Sequence, residues 1–386
     1  MARYYFDHNA TTPVDPEVLE AMLPCLREGY GNASSIHSFG QEANALVERA
    51  RRQVASLLGC KPAEIVFTSG GTEADNLAVF GTVRASGGGL KHVITSVIEH
   101  PAVLHACRRL EEDGVEVTYV RVGSDGVVSP EDIRAALRPE TVLISIMHTN
   151  NELGTVQPIA RISQIARDHG VVFHCDGVQS TGKIATRVDE LGVDLFNLSA
   201  HKIYGPKGAG ALYVRRGTNI EKTQYGGSHE RDQRPGTLNV PGIVGLGAAA
   251  ALAEKNLAAQ GSRIEILRDR LEEAILGRIE STQVNGAGVA RVPNTTNIRF
   301  DYLEGEAMVI ALDLKGVAVS SGAACSSGAV HPSHVLTAIG LSADEARSSI
   351  RFSLGKQNNE EQIDRLLEII SGVVDRLRQL SPAYAG

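Results

Sequence analysis

The fold is decided by the stretch Glu64-Ile65-Val66-Phe67-Thr68-Ser69-Gly70-Gly71-Thr72-Glu73-Ala74. Its first half reads as a strand, two glycines turn the chain, and Thr72 and Glu73 open a helix. The alternation continues outward. His92–Ser96, Val115–Val122, Val142–Met147, Val171–Cys175, Asp194–Ser199 and Gly210–Val214 read as further strands, which makes seven with Glu64–Thr68. Pro101–Glu112, Pro130–Leu137 and Pro158–His169 read as helices between them. Short β-branched strands separated by helical periods signify an α/β fold, a mainly parallel seven-stranded sheet with helices on both faces.

After about Pro241 the texture changes. Gly245–Ala258 and Arg263–Ile279 read as two helices, the second long enough to bridge two domains. Strands are expected at Asn297–Phe300, Val317–Ser320 and Ser349–Ser353, and helices at Glu304–Leu314, Ser333–Ile339 and Glu360–Leu377, a smaller α+β domain. A chain of 386 residues fits two domains.

A hydrophobic fraction of 42% argues against a disordered chain. The longest small and apolar stretch, Gly242–Ala253, is too short for a bilayer, so no membrane partner is expected. Lys+Arg 38 against Asp+Glu 45, with the signs mixed, argues against a nucleic-acid partner. The N-terminus has no apolar signal region, and the five cysteines show neither C-x-x-C nor zinc spacing. The expectation is a cytoplasmic protein with free thiols, most of them buried, and no resident metal.

In open α/β sheets ligands bind beyond the carboxyl ends of the strands. At the first such end, Gly71 and Thr72 start a helix whose free N–H groups suit a phosphate; alone, the segment reads more readily as an ordinary glycine turn with a Thr/Glu cap. Lys202 follows a strand directly and precedes Gly205-Pro206-Lys207-Gly208, with Ser199 and His201 as flanking donors. A desolvated lysine there can form a Schiff base with an aldehyde cofactor. Asp176 ends a largely apolar strand, where a carboxylate needs a cationic partner such as a pyridinium N–H; a helix N-cap is the other reading. Gln179 lies three residues on, within reach of a ring hydroxyl. His100, before Pro101, could stack on an aromatic ring and shuttle protons, or be a structural histidine. Asn150 and Asn151 add amide donors at a fourth strand end. Together these describe a pyridoxal phosphate site.

With these residues in place, the sequence resembles the cysteine desulfurases of the NifS/IscS type, class-V aminotransferases among the fold-type I pyridoxal phosphate enzymes. The resemblance runs from Tyr5-Phe6-Asp7-His8-Asn9-Ala10-Thr11-Thr12-Pro13 to Ser349–Gly355. Its most specific segments are Thr68–Asn76, Asn150–Gly154, Ser199–Gly208, Arg234–Thr237 and Ser320-Ser321-Gly322-Ala323-Ala324-Cys325-Ser326-Ser327-Gly328. It implies a large domain of residues 14–258 and a small domain of 1–13 with 259–386. Lys202 would carry the Schiff base, Asp176 hold the pyridine nitrogen and Gln179 the ring oxygen. Gly71, Thr72, Ser199 and His201 would bind phosphate, and His100 would stack on the ring. Asn151 would lie beside the ring oxygen and the substrate. Thr237 would reach the phosphate of the other subunit of a homodimer, and Arg351 would clamp the substrate carboxylate.

Cys325, with only Ser, Gly and Ala around it, reads as a small polar loop thiol. In the family such a thiolate takes sulfur from L-cysteine as a persulfide, leaving alanine. The sulfur passes to an acceptor such as an iron–sulfur scaffold, whose cluster iron the Cys325 persulfide could transiently ligate. His8 stands where many relatives have Asn, and Gly177 where many have Ala. The end Leu380–Gly386 is shorter than the tail with which some relatives dock a scaffold, so the acceptor stays open. Selenocysteine is a second plausible substrate. The competing readings are a pyridoxal phosphate β-lyase or aminotransferase with an idle Cys325, and a lapsed partner protein, which would be expected to have lost Lys202, His100 or Cys325.

Overall fold

The computed structural model describes residues 3–321 and 332–381. The chain enters through strand β1 (Tyr4–Tyr5) and helices α1 (Pro16–Arg27) and α2 (Ser38–Leu58). It then alternates: β2 (Ile65–Thr68), α3 (Gly71–Ala85), β3 (His92–Ser96), α4 (Pro101–Glu112), β4 (Glu116–Val120), α5 (Pro130–Ala136), β5 (Thr141–Ser145), α6 (Ile159–Asp168), β6 (Val172–Asp176), α7 (Val188–Leu191), β7 (Leu195–Ser199) and β8 (Gly210–Val214). These seven strands, β2 to β8, form one sheet in the order β2-β8-β7-β6-β5-β3-β4. All pairings are parallel except those of β8, which runs antiparallel to both β7 and β2. In β2, β3, β7 and β8 every residue is buried, the pattern of strands covered on both faces.

The two helices expected after Pro241 are one. Helix α8 runs from Val240 to Arg278 without a break, its start capped by Asn239, whose side chain accepts from Gly242 N. Gln260-Gly261 looks like a connection in sequence, but a single glycine costs a helix only about 1 kcal/mol, which packing on two cores offsets. The amino-terminal half of α8 packs into the core of the large sheet through Ile243, Leu246, Ala249 and Ala250. Its carboxyl half contributes Ile264, Leu267, Leu271 and Ile275 to a second apolar cluster with Phe6, Phe300, Phe352 and Leu366.

That second cluster lies on β9 (Thr282–Val284), β10 (Thr295–Phe300), α9 (Gly305–Asp313), β11 (Val317–Ala318), β12 (Ser349–Ser353) and α12 (Glu360–Leu380), while α10 (His334–Ala338) and α11 (Ala343–Arg347) pack with Ile98 and Leu153 in a separate cluster. Strands β12-β10-β9 form an antiparallel sheet, and β1 pairs in parallel with β11. Among the described residues no helix is long and apolar enough to cross a membrane, and no group of His, Cys, Asp or Glu could hold a metal ion.

Candidate active site

A cavity of about 190 Å³ opens at the carboxyl ends of the parallel strands. It is lined by Gly71, Thr72, His100, Asn151, Asp176, Gln179, Ser199, His201 and Lys202, together with Asp75, Met147, Thr149 and Val178. Nine of the residues singled out in the sequence are thus brought to one place by five strands of a single sheet, β2, β3, β5, β6 and β7.

Helix α3 begins at the cavity wall with Gly71 and Thr72. A Cβ on Gly71 would lie 2.7 Å from Val178 Cγ2, so only glycine lets the helix start approach this close. The first-turn amides and the positive helix end face a site with Ser199 and His201, which is chemistry suited to a phosphate. Burial and the neighbouring Lys202 and Lys207 push His201 down to about 4, so it meets a ligand as a neutral ring.

Asp176 ends β6 and is 6% exposed. Its Oδ1 accepts from Val178 N at 2.9 Å, the Asx-turn contact of the capping reading. One carboxylate oxygen thus caps the turn, and the residue also lines the cavity. Burial raises its pKa, with His100 and Lys202 opposing, so its anion is best held by a cation within the cavity. Behind it Asn197 receives Gly177 N at 3.1 Å and donates to buried Asp75 at 2.7 Å. A Cβ at Gly177 would overlap the ring of Phe196, which is why this chain has glycine there.

Lys202 ends a single 3-10 turn, Ala200–Lys202, that follows β7. Its Nζ donates to the carbonyls of Asn9 and, at 2.9 Å, Ala10. Burial, reinforced by Arg351, lowers its pKa to about 8, against the pull of Asp7 and Asp176. The amine is thus partly in its nucleophilic form near neutral pH. His100 caps α4, its Nδ1 accepting from Ala102 N at 3.1 Å, which leaves Nε2 as the protonated nitrogen of the neutral ring. Withdrawal from water lowers its pKa, Asp176 pulling upward and Lys202 downward.

Asn150 does not present donors to the cavity. Its Oδ1 accepts from Glu152 N and Leu153 N, and its Nδ2 donates to Ile98 O, so it builds the turn. Asn151 lines the cavity, and its carbonyl accepts from Arg351 Nη1 at 2.9 Å. Arg351, on β12 and buried, also pairs through Nη2 with Asp7 at 2.7 Å. Its fork is thus held by Asp7 and by the carbonyl of Asn151, which itself lines the cavity. Thr237 is exposed and apart from this cavity's lining. Cys325 lies outside the described residues.

Sequence reasoning missed Asn9. It is 1% exposed and joins three parts of the chain: its Nδ2 donates to Asn151 O and Thr295 Oγ1, its amide N to Ser353 Oγ, and its Oδ1 accepts from Asn294 and Lys183. Its carbonyl receives Gln179 Nε2 at 3.0 Å as well as Lys202. These partners lie 142 to 344 positions away, so no local pattern marks them. His8, beside it, is buried and pushed down to about 4 by burial and by Lys183, and so sits as a neutral ring.

The family described as aminotransferase class-V matches residues 4–366. The cysteine desulfurase IscS of Anaeromyxobacter dehalogenans is 51% identical over 383 residues, which cover 98% of this chain and 94% of that protein. A solved NifS-like protein superposes with a TM-score of 0.91 at 38% identity, covering 97% of this chain and all of the other. The structure of SspA in complex with cysteine superposes with a TM-score of 0.81 at 38% identity, covering 92% and 99%.

Proposed function

The chain belongs to the class-V aminotransferase family, among the cysteine desulfurases, and from that premise we propose how its residues divide the reaction. It is a pyridoxal-phosphate-dependent enzyme that removes sulfur from cysteine. The residues present fit the cofactor: a buried carboxylate wanting a cation, an amine with depressed pKa, and a helix start that only glycine permits. When bound, pyridoxal phosphate supplies an electron sink for bond breaking at the substrate's carbons. Lys202 would hold it covalently, Asp176 would keep its ring nitrogen protonated, and Gln179 would bind its ring oxygen. Gly71, Thr72, Ser199 and His201 would take the phosphate. His100 would cover the ring and move protons through Nε2, and Asn151 would lie beside the ring oxygen and the substrate.

Arg351 would bind the carboxylate of L-cysteine. Cys325 would receive the sulfur: its sulfur bonds the substrate sulfur as the carbon–sulfur bond breaks, and the electron pair stays with carbon. Cysteine plus a protein thiol becomes alanine plus a protein persulfide, so atoms balance without an outside oxidant. The state of the other thiols supports Cys325. Burial raises the pKa of Cys25 and Cys175, and pushes Cys60 and Cys107 up to about 12, so none of the four is a thiolate at neutral pH.

The proposal extends to a cytoplasmic homodimer that passes its persulfide sulfur to an acceptor protein such as an iron–sulfur scaffold. The dimer is supported by exposed apolar side chains, Tyr30 at 81%, Ile36 at 91% and Tyr225 at 80%. The segment leading to Thr237 is anchored by the buried pair Arg51–Glu230, through residues 230–232 that all have positive φ. Such a pinned turn can hold Thr237 outward for another subunit. We also propose residues 14–258 as the large domain and 1–13 with 259–386 as the small one, supported by the two apolar clusters.

The observation that carries the reading is the convergence of Asp176, His100, Gln179 and Lys202 on one cavity. Its test is a mixed dimer. Lys202→Ala and Thr237→Ala subunits, each inactive or impaired alone, should regain about one working site per dimer when combined, read as alanine and sulfide from L-cysteine. A fully active monomer would refute the shared site, and absence of alanine from the wild type would refute the activity.

A further inference from the structure

Lys183 stands four residues beyond Gln179, in the turn after β6, and neither the phosphate donors nor the substrate groups account for it. Its Nζ donates to Gln179 Oε1 at 2.7 Å and to Asn9 Oδ1 at 2.8 Å. Both acceptors are carboxamide oxygens of residues at least nine-tenths buried. It also lines a second, smaller cavity of about 50 Å³, together with Lys202 and His8. Two lysines therefore meet at one asparagine, Lys202 on its main-chain carbonyl and Lys183 on its side chain.

A carboxamide has one accepting and one donating end, and only its neighbours decide which end points where. Lysine has donors only, so the Gln179 atom touching Lys183 is the oxygen. The Asn9 carbonyl is acceptor only, so the atom touching it is the nitrogen. The two constraints agree, and together they leave Gln179 a hydrogen-bond donor toward the cavity it lines.

We propose that Lys183 is a positioning residue that locks the Gln179 carboxamide with its NH2 toward the cofactor, so that Gln179 can only donate to the ring oxygen and thereby favours that oxygen in its anionic form. The inference rests on the reading of the cavity as a pyridoxal phosphate site. Without Lys183 only the Asn9 carbonyl holds the amide, and turning its oxygen inward costs that single remaining contact rather than two. Burial, Lys202 and Arg351 lower the pKa of Lys183, and its two carboxamide acceptors oppose them by holding the donating form.

The test is a double-mutant cycle on affinity for pyridoxal phosphate itself. Apo-protein is titrated with the cofactor and followed by its absorbance, for wild type, Lys183→Met, Gln179→Leu and the double variant. Methionine keeps the length of the side chain and removes the donor. Lys183→Met and Gln179→Leu should each weaken binding about tenfold, the size of one charge-assisted hydrogen bond. The double variant should be no weaker than Gln179→Leu, because Lys183 acts through Gln179. The absorbance maximum of the bound cofactor should shift in Lys183→Met as in Gln179→Leu. If Lys183→Met fails to fold, Lys183→Gln, which retains a donor, enters the cycle and should lie nearer wild type than Gln179→Leu does. Additive losses, or binding and spectrum unchanged in the lysine variant, would overturn the inference while leaving the cofactor site intact. A wild type that does not bind pyridoxal phosphate would overturn the reading beneath it.

Discussion

The sheet edge and the N-terminal segment meet at the same cavity but hold their side chains by different means. Asp176, Ser199 and Lys202 hang from β6, from β7 and from the turn after it, whose buried main chains are fixed by ladder hydrogen bonds on both sides. Asp7 and Asn9 lie outside the large sheet: a single bridge of Asp7 to Ser353 holds the main chain, and side-chain contacts do the rest, Asp7 with Arg351, and Asn9 with Asn151, Lys183, Asn294 and Thr295. The first means sets the main chain at the sheet edge by the sheet alone, although Lys202 and Gln179 also reach the Asn9 carbonyl. The second ties that place to β10 and β12, so that the group expected to bind substrate, Arg351, is registered against the cofactor by polar contacts. On the proposed assignment, the comparison teaches that cofactor affinity and substrate handling would be separable in this chain, with their separation running through Asn9.

The largest blow falls on the sheet edge. Lys202→Ala should lower turnover by roughly 10³-fold or more, as removal of a covalent catalytic group does, while some cofactor stays bound through Asp176 and the phosphate donors. Alanine formation together with cofactor content after gel filtration checks it. Normal sulfide release would break the comparison at its first half.

Arg351→Ala tests the second half. Removing one partner of a buried charge pair costs ~2–5 kcal/mol, so kcat/KM for cysteine should fall at least ~30-fold. Cofactor affinity should stay near wild type. An equal loss in both would show that the two regions are one unit.

A smaller effect sharpens the connection between them. Asn9→Ala removes a side chain that is nine-tenths buried and leaves Asn294, Thr295 and Lys183 each short of a partner, at ~1–3 kcal/mol of stability. Its KM for cysteine should rise more than its cofactor dissociation constant, measured by absorbance titration. The converse order would place Asn9 with the sheet edge.

The smallest is a pH effect. Lys202 has its folded pKa lowered to about 8, so its neutral amine grows in with rising pH and saturates above that value. The rate at which apo-enzyme captures pyridoxal phosphate should rise about tenfold per unit below pH 8 and level off above it. A rate still climbing at the same slope near pH 10 would mean an unperturbed lysine.

What was legible in the sequence follows the same division. Lys202, Asp176 and the Gly71-Thr72 turn stand directly after strands, and the rule that ligands bind beyond strand ends finds them without knowledge of packing. Asn9 and Lys183 have no such local mark. The spacing of Gln179 and Lys183, one helical turn apart, was the one available hint, and it needs Asn9 to become an argument. Asn150 was misread because an amide after a strand serves a turn as readily as a ligand. Helix α8 was split because a Gln-Gly pair breaks local propensity, whereas continuity is enforced by two cores that local sequence cannot display.

The central claim, that a sulfur atom passes through Cys325, is tested most directly by Cys325→Ser. Serine is too weak an acid to replace a thiolate without an adjacent base, while Lys202, Asp176 and His100 are untouched. The variant should bind cofactor and change its absorbance on addition of L-cysteine, yet form almost no alanine. Mass spectrometry should find one added sulfur atom on residues 320–330 of the wild type after brief exposure to cysteine, and none on the variant. Sulfide release by Cys325→Ser at the wild-type rate would contradict the account and leave a β-lyase with an idle thiol.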